Sequence, residues 1–279
     1  MILTLDVGNS QIFGGVFDDR QELAIRFRKT SRPPTSSDEL GLFLRSVLRE
    51  NGIDPSRITQ IALCSVMPEI LYSLRSCCRK YFDVDPFILQ PGAKTGLKIR
   101  YRNPLEVGPD RIANAIGAVH LHAGHNVIVI DFGTATTIDV ISSQRDYLGG
   151  IILPGLRIAM EALEKNTARL PTVEIVQPSE LVGRSTVESI QSGLYFGNRA
   201  MIRELTREIR VHTFGGEPAT VIGTGGFVRL FERENLFDVL LPDLVLIGLH
   251  RALALNAEAR RQWAAPTAAG EVVEPPNEV

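Results

Sequence analysis

The sequence predicts an α/β protein made of two lobes of common design with a cleft between them, and three features carry that expectation. A strand, an Asp-x-Gly turn and a second strand occur once in each half: Ile2 to Leu5 runs into Asp6 and Gly8-Asn9-Ser10, and Val127 to Ile130 runs into Asp131 and Gly133-Thr134-Ala135-Thr136. Repetition of one supersecondary unit points to duplication rather than to a single doubly wound sheet. Helical periodicity fills the intervals between the strands. The 279 residues suffice for two modest lobes, and a chain of this size buries about 75% of its unfolded surface. The expected division is residues 1–117 and 118–263, followed by a tail, 264–279.

The first turn leads into an apolar run from Ile12 to Phe17 that closes at Asp18-Asp19. Ser36-x-x-Glu39 forms a capping box ahead of Leu40, Phe43, Leu44, Val47 and Leu48, a helical face that ends at Gly52. Pro109 opens the next helix at its preferred first position, with Ile112, Ala115, Ile116 and Val119 on one side. After the second strand pair, which ends at Ile141, Ser185-x-x-Glu188 caps a long helix that Gly215-Gly216 stops. A strand-like Ala219 to Ile222 follows, and the last helix runs from Leu244, just past Pro242, to near Trp263. Beyond it the residues are Ala, Pro, Glu and Val without periodicity, which predicts disorder.

Composition excludes several classes. The formal charge is −2, and the tail alone holds Glu271, Glu274 and Glu278 with no Lys or Arg, so the body is near neutral and unsuited to nucleic acid. Cys64, Cys77 and Cys78 make no disulfide framework and no Cys-x-x-Cys motif; they read as reduced thiols. Met1 to Asp6 has neither the basic start nor the length of a signal or transit peptide. No stretch approaches the roughly 18 apolar residues of a membrane span. A cytoplasmic protein is expected.

The chemistry concentrates in the turns. Asp6-Val7-Gly8-Asn9-Ser10-Gln11 offers a carboxylate at a strand end, a glycine that permits close backbone approach, and outward N–H groups beside a hydroxyl. These are the parts of a phosphate cradle next to a metal-binding carboxylate. Asp131 to Thr137 offers the same parts with more hydroxyls, and two facing cradles hold a triphosphate from both sides. Either turn alone is also an ordinary hairpin signal; their coincidence favours the nucleotide. Walker A, Gly-x-Gly-x-x-Gly and the protein-kinase motif set are all missing, so the nucleotide is held another way.

Gly108-Pro109-Asp110-Arg111 places an acid and a cation in the first turn of a helix. Asp110 reads either as a dipole partner worth about 0.3–1 kcal/mol or as the acceptor of an attacking hydroxyl's proton, with Arg111 pairing with an anionic group. Gly223-Thr224-Gly225-Gly226-Phe227 is either a plain turn or bare backbone for an adenine. Of His120, His122 and His125, only the last two share a helical face, which argues against zinc.

In this order, Asp6-Val-Gly-Asn-Ser10, Gly108-Pro-Asp-Arg111, Asp131-Phe-Gly-Thr-Ala-Thr-Thr137, Gly149-Gly-Ile-Ile-Leu-Pro-Gly155 and Thr224-Gly-Gly226 resemble the motifs of the type III pantothenate kinases, across nearly the whole chain before the tail. The resemblance implies duplicated ribonuclease-H-like lobes of the actin-like ATPase kind, shared with acetate and sugar kinases, Hsp70 and actin. It implies transfer of the ATP γ-phosphoryl group to the primary hydroxyl of pantothenate, opening coenzyme A synthesis, in a homodimer that uses ATP with magnesium and needs potassium or ammonium. By the same resemblance Asp6, Val7, Gly8, Asn9, Ser10, Gln11, Ile12 and Phe13 form the ATP phosphate loop and Thr134 touches ATP. Asp110 is then the catalytic proton acceptor, Asp131 ligates the monovalent cation and Asp6 is a candidate magnesium ligand. Tyr101, Gly108, Pro109, Asp110, Arg111 and Thr186 contact pantothenate. Ser10 stands where the family usually has Thr, keeping the hydroxyl, and Gln11 stands where Asn is common. The competing readings are a non-catalytic nucleotide-binding regulator and a kinase of another small hydroxyl or carboxylate substrate.

Overall fold

The computed structural model describes residues 1–31, 35–167 and 169–264. The disorder expected of the tail falls, from residue 265 on, outside the described residues. The first sheet starts as an antiparallel meander of β1 (Ile2–Val7), β2 (Gln11–Phe17) and β3 (Leu23–Thr30). After α1 (Ser37–Glu50), β4 (Gln60–Ser65) joins β1 in parallel, and after α2 (Leu71–Phe82), β5 (Phe87–Ile88) extends the edge. The order is β3-β2-β1-β4-β5.

The second sheet contains β6 (Lys98–Ile99) and, after α3 (Pro109–Leu121), the meander β7 (Asn126–Phe132), β8 (Ala135–Ile141) and β9 (Asp146–Pro154). Two helices, α4 (Leu156–Asn166) and α5 (Thr186–His212), precede β10 (Ala219–Thr224), β11 (Val239–Leu240) and the final α6 (Leu244–Ala264). The order is β11-β10-β7-β8-β9-β6. Taken from β9 to β11 it repeats the first sheet strand for strand: a meander, then two parallel strands beside its first member. The molecule is therefore two ribonuclease-H-like lobes, the second carrying β6 as an extra edge strand.

Local chemistry explains most of these elements. The run Val127 to Ile130 in β7 is fully buried, as a strand covered on both faces requires. β3 goes beyond the sequence expectation; it alternates half-buried Leu23, Ile25 and Phe27 with exposed Arg26 and Arg28, the charged pattern that blunts a sheet edge. Both halves of the α1 capping box form. In α5 the box is only half made: Ser185 accepts the Glu188 N–H, but the Glu188 carboxylate takes the N–H of Arg184 instead, one residue early.

The helices form three layers. α1 and α2 cover the outer face of the first sheet, and α4 and α5 that of the second. Between the sheets lie α3 and α6, in one core with Phe13, Phe17 and Cys64 from one side and Val127, Val129 and Ile222 from the other. Their backbones nearly touch: a Cβ on Gly248 would lie 1.7 Å from the Ala113 carbonyl oxygen, and one on Gly117 would lie 2.8 Å from that of Leu244. α3 runs straight through residue 118, and α6 returns from the end of the described chain to pack on β1 and β4. The lobes are thus joined through a shared helical layer, and α3 is aimed between them. Among the described residues, no helix is long and apolar enough to cross a membrane.

Candidate active site

The duplication places Asp6 and Asp131 at equivalent points, each next to last in the central strand of its sheet. Asp6 sits between Phe13 and Cys64, and Asp131 between Thr137 and Thr224, with the antiparallel neighbour named first in each case. Each turn closes on its glycine N–H, Gly8 onto the Gln11 carbonyl three residues on at 3.0 Å and Gly133 onto the Ala135 carbonyl two residues on at 3.1 Å. The loops meet: the hydroxyls of Ser10 and Thr134 are 2.9 Å apart. Ser31 braces the first loop by donating its hydroxyl to the Gly8 carbonyl at 2.6 Å.

Glycines hold the second loop from behind. Gly155, which begins α4, lies so close that a Cβ there would be 2.1 Å from the Thr134 carbonyl oxygen. Gly225, at φ +92°, would put a Cβ 2.3 Å from Asp131 Oδ1, so the glycine-rich segment after β10 braces the Asp131 turn directly. Next to it, Gly226 faces open space, leaving bare backbone available.

α3 supplies the third component. Its N-cap, Gly108, leaves room for the Asp110 carboxylate; a Cβ there would be 2.5 Å from Asp110 Oδ1, which accepts the Arg111 N–H at 2.9 Å. One turn on, Asn114 donates to Asp131 Oδ2 at 2.9 Å, while its own Oδ1 is buried without a partner. One helix thereby carries a carboxylate and an amide to the junction of the two loops.

The electrostatics follow from this convergence. Burial first, then the charge of Asp110, then that of Asp131, push the Asp6 carboxyl up to about 7. Asp131 is pushed up to about 7 by burial and by Asp110, against the Asn114 hydrogen bond. Burial raises Asp110 as well, opposed by the Arg111 backbone and charge. Carboxylates gathered in low dielectric disfavour one another's ionisation, so this cluster gains from an added cation. The Arg28 guanidinium reaches in from β3, 3.9 Å above the Phe13 ring and 3.3 Å from Gln11 Oε1, and its charge favours ionised Asp6 and Asp131.

Of the residues singled out in the sequence, Asn9, Ser10, Gln11 and Thr134 are exposed, and Gly8 is partly so. Val7, Ile12 and Phe13 point into the cores and shape the loop from beneath. Tyr101 packs beside Tyr147, ring centroids 6.4 Å apart, and bonds Arg111. Arg111 is buried, bound to Asp139. Thr186 is exposed on the first turn of α5, at a recess of about 900 Å³ between α4 and α5 that Asp110 does not line. Among the described residues, no three His, Cys, Asp or Glu side chains are arranged as ligands of one metal ion.

Arg28, Asn114 and Cys64, whose thiol donates to Asp6 Oδ1 at 3.3 Å, lie outside the motifs. Asn114 carries a legible signal, a lone amide four residues after Asp110. The other two depend on strand pairing and carry none.

The family model for type III pantothenate kinase matches residues 2–208. The type III pantothenate kinase of Legionella pneumophila strain Corby is 57% identical over 256 residues, covering 92% of this chain and 99% of that protein. Among solved structures, one described as a conserved candidate Baf-family transcriptional activator from Campylobacter jejuni matches with TM-score 0.58 at 20% identity, covering 92% of this chain and 99% of that one. A candidate 2-dehydro-3-deoxygalactonokinase from Sinorhizobium meliloti matches with TM-score 0.56 at 13% identity, covering 95% and 100%. The two structural likenesses bear on the fold alone.

Proposed function

The chain belongs to the type III pantothenate kinase family, and on that footing we propose that it transfers the γ-phosphoryl group of ATP to the primary hydroxyl of pantothenate, the opening step of coenzyme A synthesis. The observation that supports this best is the convergence of Asp6, Asp110 and Asp131 from β1, α3 and β7, with the Ser10 and Thr134 hydroxyls joining the two loops across the cleft.

Phosphoryl transfer through a loose transition state asks for positioning and charge neutralisation more than for covalent chemistry. The N–H groups and hydroxyls of both turns bind phosphate oxygens, and Arg28 adds a positive charge at the edge of the first. Asp110 accepts the proton of the pantothenate hydroxyl; burial strengthens it as a base by raising its pKa. Tyr101 and Arg111 orient the acceptor.

The residues present fit the implied cations. Asp6 suits magnesium, which binds one or two carboxylates and leaves its other positions to phosphate and water. Asp131, with the orphaned Oδ1 of Asn114 close by, suits potassium or ammonium. When bound, the cations neutralise charge on the phosphoryl oxygens.

A homodimer completes the reading, because Thr186 opens onto a recess that includes none of Tyr101, Asp110 and Arg111, and a second copy is what carries it to the acceptor. The setting is the cytoplasm. ADP release should require pantothenate together with potassium or ammonium and should be lost in sodium. Absence of turnover with either cation defeats this reading, and turnover with a sugar or acetate in place of pantothenate favours another kinase of the same fold. Sedimentation should give a dimer; a monomer with full activity removes Thr186 from the site.

A further inference from the structure

Asp139 lies mid-β8, cross-paired with Val129 on β7 and Gly150 on β9, and is fully buried. The phosphoryl-transfer scheme does not use it, yet a carboxylate withdrawn from water in a central strand is costly unless paired and hydrogen-bonded. Its Oδ1 accepts the Arg111 Nε–H at 2.8 Å and the Tyr147 hydroxyl at 2.6 Å. Arg111 Nη2 stands 2.7 Å from the same oxygen without an aligned hydrogen bond.

The slot for this pair is built into β9. A Cβ on Gly150 would fall 2.6 Å from Arg111 Nη2 and 2.1 Å from the Ile138 carbonyl oxygen, so a side chain there would evict the guanidinium. Tyr101 stands within reach of the Arg111 guanidinium, which donates toward its hydroxyl. A continuous chain of contacts thus runs from β8 through Arg111 to the start of α3. A guanidinium held this way keeps one orientation, where an unpaired arginine would sample many and lose that freedom on binding.

We propose that Asp139 is a positioning residue for the acceptor: with Tyr147 as second anchor, it fixes the Arg111 guanidinium that meets the pantothenate carboxylate and steadies the α3 start where Asp110 sits. This rests on reading residues 108–111 as the acceptor site.

The test uses Asp139→Asn, Asp139→Glu and Tyr147→Phe in the full chain, with pantothenate and ATP varied separately and with an acceptor whose carboxylate is replaced by an alcohol. Loss of one charge-assisted contact should raise the KM for pantothenate roughly tenfold in Asp139→Asn. The KM for ATP should stay within about twofold, since no phosphate contact changes. Preference for pantothenate over the alcohol should fall by the same factor as its KM rises, and Asp139→Glu should recover part of it. A merely structural pair would lower the melting temperature and leave that preference intact, which overturns the proposal. If Asp139→Asn does not fold, Tyr147→Phe decides, with a rise in pantothenate KM of about threefold expected and an unchanged KM and preference overturning it. A wild-type protein that ignores pantothenate fails the underlying reading instead, before any variant is compared.

Discussion

Replacing Asp131 with Asn tests whether the cleft is primed for cations by its own crowded carboxylates. Burial and then Asp110 raise Asp131 from an ordinary 3.8 to about 7. Asp6 is raised just as far, by burial ahead of Asp110 and Asp131. Between pH 3.8 and about 7 the folded protein therefore holds protons that the unfolded chain has released. Stability contributed by these groups is full below the lower value and is lost as pH rises through the window. At 1.36 kcal/mol per pH unit, ionised Asp131 carries a penalty approaching about 4 kcal/mol above pH 7. Asn removes the charge, keeps the shape and can still meet Asn114. Because Asp6 and Asp110 share the same repulsion, the expected gain at pH 8 is smaller, about 1–3 kcal/mol. That corresponds to a melting temperature higher by very roughly 3–10 °C for a chain of this size, with a gain less than half as large at pH 5, where the unfolded chain has already released a proton that the folded carboxyl still holds. Circular dichroism melts in choline buffer at both pH values measure it. Potassium with magnesium–ATP should then stabilise the wild type at pH 8 far more than the variant. A variant melting at or below the wild type at pH 8, or a wild type whose melting ignores pH from 5 to 8, refutes the reasoning.

Three further outcomes follow from the geometry. Asp110→Asn should lower kcat by about 10²–10⁴-fold while calorimetry shows ATP binding retained; full turnover would remove Asp110 as the base. Arg28→Gln should weaken ATP binding by roughly tenfold, the value of one charge-assisted contact, and leave the pantothenate KM alone; an unchanged ATP affinity would make Arg28 an edge charge stacked on Phe13 and nothing more. Gly248→Ala sets a methyl 1.7 Å from the Ala113 carbonyl oxygen, so it should cost about 1–3 kcal/mol or more and reduce kcat, because α3 must shift with Asp110 and Asn114 on it. An unchanged melting temperature would mean that α3 and α6 are less tightly apposed than the structure has them.

The site's vocabulary was largely legible in the chain, because turn chemistry is local. Asp6-Val-Gly and Asp131-Phe-Gly each state a strand end and a tight turn within a few residues, and Pro109 with Asp110 states a helix start. The repeated turn even announced the duplication that the two sheet orders display. The α1 cap was readable for the same reason, whereas the α5 box misled by one residue, since only the folded backbone decides whether Glu188 reaches Ser185 or Arg184.

What local sequence could not supply was partnership across the fold. Arg28 enters the cleft only because β3 lies beside β2; Cys64 meets Asp6 only because β4 runs parallel to β1 in that register. Asn114 finds Asp131, and Arg111 finds Asp139, because glycines at 117 and 248 let α3 sit deep between the sheets. The sequence by itself determined the kinds of groups present and the turns that carry them. Only the tertiary structure decided which charges share a low-dielectric volume, and that proximity, falling off with distance rather than with chain separation, is what shifts their pKa values.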